Sequence, residues 1–403
     1  MKYLSIFCFT LLFTCISSKA RIPDASSDSI RVVHSISASA GIDYIANSVI
    51  DELKIPVDPD DMVSSHSDIP ATLRYSFSLT NPRIRNYYPG GYQGIGLTIL
   101  NIGAANGGGV EKSCHYIGNP ILVYIFQGAP FRKLSRNLSL DYEWNFGASF
   151  GWKPYGPDNY NFNLSVGSRV NAYLNISLFL NYKITPDFAI FGGVALNHFS
   201  NGNTSWPNPG INSLGARLGV IYTFNPLPGN KFPDAIPDTI RHKKPEYDIS
   251  VWGAARKRVY KGGEEPVLLK GHFACAGISF APMWRLNPWW RLGPSADIQY
   301  DQSSDKKSRY ISGSTTDDIR FSSPDFFRQL SFGISGHAEL QMPIFALNVG
   351  IGVNILAPWE NRGTYQNITL KAYLTRNIFL NVGYQLRNFH QQAHLMLGLG
   401  TTI

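Results

Sequence analysis

From Leu138 to Trp152 the chain alternates without a break. The even positions read Leu, Leu, Tyr, Trp, Phe, Ala, Phe, Trp and the odd positions Ser, Asp, Glu, Asn, Gly, Ser, Gly. A period of two puts successive side chains on opposite faces of a strand, so one face is apolar and the other polar. Val170 to Tyr182 repeats the pattern, with Asn171, Asn175, Ser177 and Asn181 between apolar even positions. Segments of roughly ten residues with this dyad period, separated by turn residues, are the signature of a transmembrane β-barrel. A β-sandwich core also alternates. An export signal and aromatic residues at the strand ends favour the barrel.

The export signal is the amino terminus. Met1-Lys2, an apolar run from Tyr3 to Ile16, and Ser18-Lys19-Ala20 read as a secretory signal peptide over 1–20, cleaved after Ala20. Thr14 fits poorly before a lipoprotein cysteine at Cys15. Cleavage leaves Cys114 and Cys275, too far apart in sequence to suggest a disulfide framework. No later stretch offers the roughly 18–20 uninterrupted apolar residues of a membrane-spanning helix. Aromatic residues make up 13% of the chain and glycines number 37, which suits strands and turns instead. The formal charge of +8 suits anionic lipid headgroups, and solvated lysines account for it equally well.

The expected fold is all-β: an antiparallel barrel of the outer-membrane type. Eight alternating runs lie near 32–44, 70–79, 93–102, 118–127, 138–152, 168–184, 187–200 and 211–225. Eight more follow near 247–257, 267–281, 289–300, 329–342, 344–355, 366–375, 377–388 and 393–403. The leading expectation is one barrel of about 16 strands. The alternative is two tandem eight-stranded barrels, suggested by the Pro- and charge-rich connector at 226–246. Residues 21–225 would form the first region and 247–403 further barrel strands. Long connections alternate with short ones. The tip at 201–210 therefore falls outside the cell, with the amino terminus and the connector in the periplasm.

That tip carries the chemistry. His198 and Ser200 are two apart and share the apolar, outward face with Leu196, Val194, Ile190 and Phe188. On the return strand Asn212 leads the apolar series Leu214, Ala216, Leu218, Val220, Tyr222 and Phe224. If Ser200 lies opposite Asn212, serine, histidine and asparagine cluster on the outer wall at one rim. Ser200 is then the candidate nucleophile, His198 the base and Asn212 the group that fixes its tautomer. Asn201 is the candidate oxyanion donor, through its side chain or local backbone N–H. The plain alternative is a polar loop rim, where such residues are ordinary.

The stretch His198-Phe199-Ser200-Asn201, then Pro207-Asn208 and Gly210, resembles the outer-membrane lipid A 3-O-deacylase (acyloxyacyl hydrolase) family. The resemblance covers roughly 92–225. It implies a Ser-His-Glu triad facing the outer leaflet, lipid A as partner and no cofactor. The family's glutamate falls at Asn212, where this chain departs from the pattern. That departure is similar to outer-membrane phospholipase A, whose Ser-His-Asn triad acts on phospholipid and needs calcium and dimerisation. The expected function is removal of an ester-linked acyl chain from lipid A at the bacterial outer membrane. A phospholipase, or a non-catalytic porin or structural barrel, is the alternative. Other candidates are weaker: Cys114-His115 as a metal site, Asp58, Asp60 and Asp61 as a calcium site, the Gly-rich run 107–109, and the basic clusters Arg256-Lys257-Arg258 and Lys306-Lys307. Ile378 to Asn388, with His390, weakly resembles 186–198, but Gln392 stands where a serine is needed.

Overall fold

The computed structural model describes residues 32–46, 67–79, 90–102, 118–154, 166–208, 210–226, 244–260, 267–287, 289–305, 307–309, 320–322, 324–342, 344–389 and 391–403. The signal peptide, the connector between 227 and 243, Asp58, Asp60, Asp61, Gly107–109, Cys114-His115, Lys306 and His390 lie outside the described residues.

The first eight long strands are β1 (Val32–Ala46), β2 (Ala71–Leu79), β3 (Tyr92–Ile99), β4 (Gly118–Lys133), β5 (Leu138–Trp152), β6 (Val170–Lys183), β7 (Phe188–Ser200) and β8 (Ile211–Phe224). Each pairs antiparallel with the next in sequence. β1 then pairs with β8, from His34↔Phe224 to Ala46↔Asn212, and closes the sheet on itself. A second closed barrel follows: β9 (Glu246–Arg256), β10 (Phe273–Arg285), β11 (Trp290–Asp301), β12 (Leu330–Gln341), β13 (Phe345–Leu356), β14 (Gly363–Tyr373), β15 (Ile378–Arg387) and β16 (Gln391–Thr402). β9 meets β16 from Asp248↔Thr402 to Gly253↔Leu397.

The expectation of one large barrel is therefore corrected. The chain divides into two compact units near residue 237, and each holds an eight-stranded barrel. One barrel of twice the size would need β8 to pair with β9. The free edge of β8 is instead taken by β1, which leaves no open edge to extend. Eight strands also enclose an interior narrow enough for side chains to fill. One strand start is corrected too. Val267–Leu268 pairs with Val259–Tyr260 in a small hairpin, and Gly271, with φ +91, turns the chain before β10 begins at Phe273.

Both barrels are apolar outside and polar inside. On β6, Ile176 is 66% exposed while Asn175 and Ser177 are buried. Leaving a large aliphatic side chain in water forgoes about 1.5–3 kcal/mol each, so a wall of them belongs in lipid. The interior charges are paired. Arg74 donates to both oxygens of Glu143 at 2.7 and 2.9 Å, and Arg217 is bonded to Asp43. In the second barrel Lys371 and Arg291 both donate to Asp248, at 2.7 and 2.6 Å. Unpaired, any of these ions would be strongly destabilising.

Candidate active site

β7 and β8 form the hairpin whose tip is 201–210. Their register places His198 directly across from Asn212, and Phe199 across from Ile211. The pairing of Ser200 with Asn212 expected from sequence is thus shifted by two residues. A shift of two keeps every side chain on its face, so all three groups still share the outer wall. The shift lets Asn212 reach the histidine: His198 Nδ1 and Asn212 Oδ1 lie 2.8 Å apart. An amide oxygen only accepts, so this bond puts the ring proton on Nδ1 and leaves the Nε2 lone pair free.

Ser200 stands two residues beyond His198 on the same face, with Ala172 of β6 across from it. Gly210 closes the other side. A Cβ there would lie 3.0 Å from His198 Cε1 and 3.6 Å from Ser200 Cβ, so ring and serine flank one small gap. Gly210 also has φ +81, a conformation in which a side chain is strained.

The lumen side holds this geometry in place. Asn197, the neighbour of His198, points inward and is buried. It donates to Asp43 Oδ2 at 3.2 Å and Ser213 Oγ at 2.9 Å, and accepts from Tyr173 Oη at 3.2 Å and Asn175 Nδ2 at 2.8 Å. Ser213 is the neighbour of Asn212, so the inner bond fixes the register that the outer bond needs. Phe199, also inward, packs on Trp152 and Tyr173 with ring centroids 5.1 and 5.2 Å away.

Asn201 begins the tip. Its backbone N–H donates to Asn208 Oδ1 at 2.8 Å, so that group is occupied. Its side-chain Nδ2 is buried and has no hydrogen-bond partner. Its carbonyl accepts from Thr204 Oγ1 at 2.8 Å, which ties the tip to itself.

Sequence reasoning missed a second Ser-His-Asn group. In the second barrel Ser335 Oγ lies 2.9 Å from His337 Nε2, and His337 Nδ1 lies 2.6 Å from Asn348 Oδ1. Ser335 also donates to Asp297 Oδ2 at 2.6 Å, a carboxylate that accepts from Tyr365 Oη as well. This group faces the lumen, and Ser335 is only 3% exposed. The polar parity of β12 was its only sequence signal. The basic cluster expected at 256–258 divides: Arg256 turns inward to pair with Asp301 at 2.7 Å, and Arg258 donates to the Ser303 carbonyl at 2.8 Å. Among the described residues no group of three or more His, Cys, Asp or Glu side chains gathers as a metal site would require.

An apolar outer wall, a filled polar lumen and strands that close on themselves define a β-barrel of the outer-membrane type. Residues 72–220 match the family described as "Lipid A 3-O-deacylase (PagL)", and residues 245–403 match "Acyloxyacyl hydrolase, C-terminal domain". The chain belongs to the lipid A 3-O-deacylase family and resides in the outer membrane. No curated protein matches it in sequence. Among solved structures it is similar to Neisserial surface protein A, at TM-score 0.31 and 13% identity, covering 47% of this chain and 97% of that one. It is also similar to the Ralstonia pickettii toluene transporter TbuX, at TM-score 0.17 and 11% identity, covering 91% and 88%. Neither likeness bears on function.

Proposed function

We propose that the protein is an outer-membrane esterase that removes an ester-linked acyl chain from lipid A. The observation that carries this reading is the His198–Asn212 bond on the lipid-facing wall, two residues along β7 from Ser200. Ser200 Oγ attacks the acyl carbonyl while its proton passes to His198 Nε2. The tetrahedral oxyanion accepts a hydrogen bond from Asn201 Nδ2. Collapse of the intermediate expels the sugar hydroxyl, which takes the proton back from His198. Water, deprotonated by the same nitrogen, then splits the acyl-enzyme. The products are a fatty acid and the free serine. The chain's own residues supply every step, and the tip at 201–210 faces the outer leaflet where lipid A resides.

The asparagine at 212 favours a second reading, a phospholipase with a Ser-His-Asn triad. The two readings share their three residues and differ in substrate and calcium. A channel finds less support, because paired side chains cross both lumens, among them Arg74 with Glu143, Asn197 with Asp43, Lys371 with Asp248 and Ser335 with Asp297.

The test is mass spectrometry of lipid A incubated with purified protein in detergent. Wild type should release one acyl chain. Ser200→Ala and His198→Ala should each lower turnover on the order of 10⁴-fold, since members of one catalytic unit fail together. More than a tenth of wild-type turnover in either variant would falsify the assignment.

A further inference from the structure

The first barrel holds a pair of carboxyls behind the candidate site. The short strand Ser67–Asp68 pairs with β1 before β2 begins at Ala71, and Asp68 stands directly across from Asp43. Asp68 and Asp43 are 1% and 2% exposed. Directly opposed residues have Cβ atoms about 4.5–5.5 Å apart, where like charges repel. Arg217 of β8 is bonded to both oxygens of Asp43, and its charge also reaches Asp68. Gly215 makes room for this pair: a Cβ there would overlap Asp43 Oδ1 and lie 2.6 Å from Arg217 Nη1. Asp68 accepts from the backbone N–H of Asn101 at 2.7 Å. Arg74 and Glu143, which line the same lumen, are bonded to each other. The hydroxyls of Tyr124 and Tyr173 are hydrogen-bonded to Thr98 and Asn197. Among the described residues, two carboxyls thus face one guanidinium.

We propose that Asp68 is a positioning residue that makes the candidate site sensitive to pH: protonated, it leaves Arg217 to Asp43; ionised, it competes for Arg217 and loosens the hold of Asp43 on Asn197. This rests on the esterase reading above and adds a control to it. The link to the site is short. Asp43 Oδ2 accepts from Asn197 Nδ2 at 3.2 Å, and Asn197 precedes His198 on β7. Asn197 also donates to Ser213, the neighbour of Asn212. Asp68 is anchored by a backbone N–H, whereas Asp43 is held by side chains, so Asp43 is the carboxyl that yields. Burial and then the charge of Asp43 push Asp68 up to about 7, against the pull of the Asn101 N–H and Arg217. The proton is therefore present below about 7 and lost above it, so the bonds behind His198 are complete on the acid side.

The test uses full-length protein in detergent and two readouts. Carboxyl ¹³C NMR of aspartate-labelled protein should show one group titrating with a midpoint near 7, absent from Asp68→Asn. Asparagine is isosteric, keeps an acceptor for Asn101 and mimics the protonated acid. The second readout is the rate of acyl release from lipid A, with both proteins on the same substrate. From about pH 6 to about pH 9 the wild-type rate should fall about fivefold or more relative to Asp68→Asn, through the midpoint seen by NMR. Below that midpoint the two should agree within about twofold. A wild-type spectrum without this carboxyl, or an active Asp68→Asn whose pH profile matches that of wild type, overturns the control and leaves the esterase reading standing. Wild type inactive on lipid A at every pH overturns the esterase reading itself, and the control with it.

Discussion

At position 212 this chain carries an amide where the resembling deacylases carry a carboxylate. The structure shows what the amide still does: at 2.8 Å from His198 Nδ1 it fixes the ring's orientation and tautomer. What an amide does not do is offset the charge of the imidazolium that the proposed attack would form. Asn212→Glu should therefore preserve or raise the rate on lipid A, independently of calcium. Asn212→Ala should reduce the rate, though less than Ser200→Ala does. Steady-state assays on lipid A and on phospholipid, with and without chelator, check both. Chelator-sensitive hydrolysis of phospholipid with lipid A untouched would reverse the choice of substrate. The placement of these residues on one face was legible from the period of two alone. Their register was not, because it depends on how the tip folds back around Gly210. The shared face is unchanged because the slip is even-numbered.

At the scale of the hairpin, β7 and β8 are held from within. Asn197 makes hydrogen bonds to four residues on three strands, β1, β6 and β8, the last two flanking β7. Asn197→Leu has a similar volume but leaves Asp43, Ser213 and Tyr173 short of partners. Each buried group so stranded costs about 1–3 kcal/mol. The variant should unfold at lower urea in detergent, by about 2 kcal/mol or more, and lose activity through kcat as the His198–Asn212 register loosens. A variant that keeps wild-type turnover would show that the inner bonds do not position the outer ones. Sequence pattern located all sixteen long strands, though it ended β4 six residues early and began β10 six residues early, because each strand carries its own alternation. It gave no sight of Asn197's partners, since Tyr173, Asn175 and Ser213 depend on the register of two hairpins and Asp43 on the closure of the barrel.

At the scale of the molecule, the number of barrels was the feature hardest to read. Sixteen alternating runs suit one ring or two, and the choice turns on whether β1 meets β8, a contact between the start and end of the first half. No local signal in the sequence carries that. The outward placement of the tip is a prediction at this scale. A protease site inserted at Thr204 should be cut on intact cells, and one at Asp238 should not. The reverse would remove the outer leaflet from reach. The second barrel adds a caution of its own. Its Ser335, His337 and Asn348 make the hydrogen bonds that a template of triad distances would look for. A search by distance would therefore choose the serine walled inside the barrel, bonded to Asp297, over Ser200 on the face that lipid touches. On the proposed assignment, the side of the wall a serine faces is a better guide to its chemistry than the neatness of its hydrogen bonds.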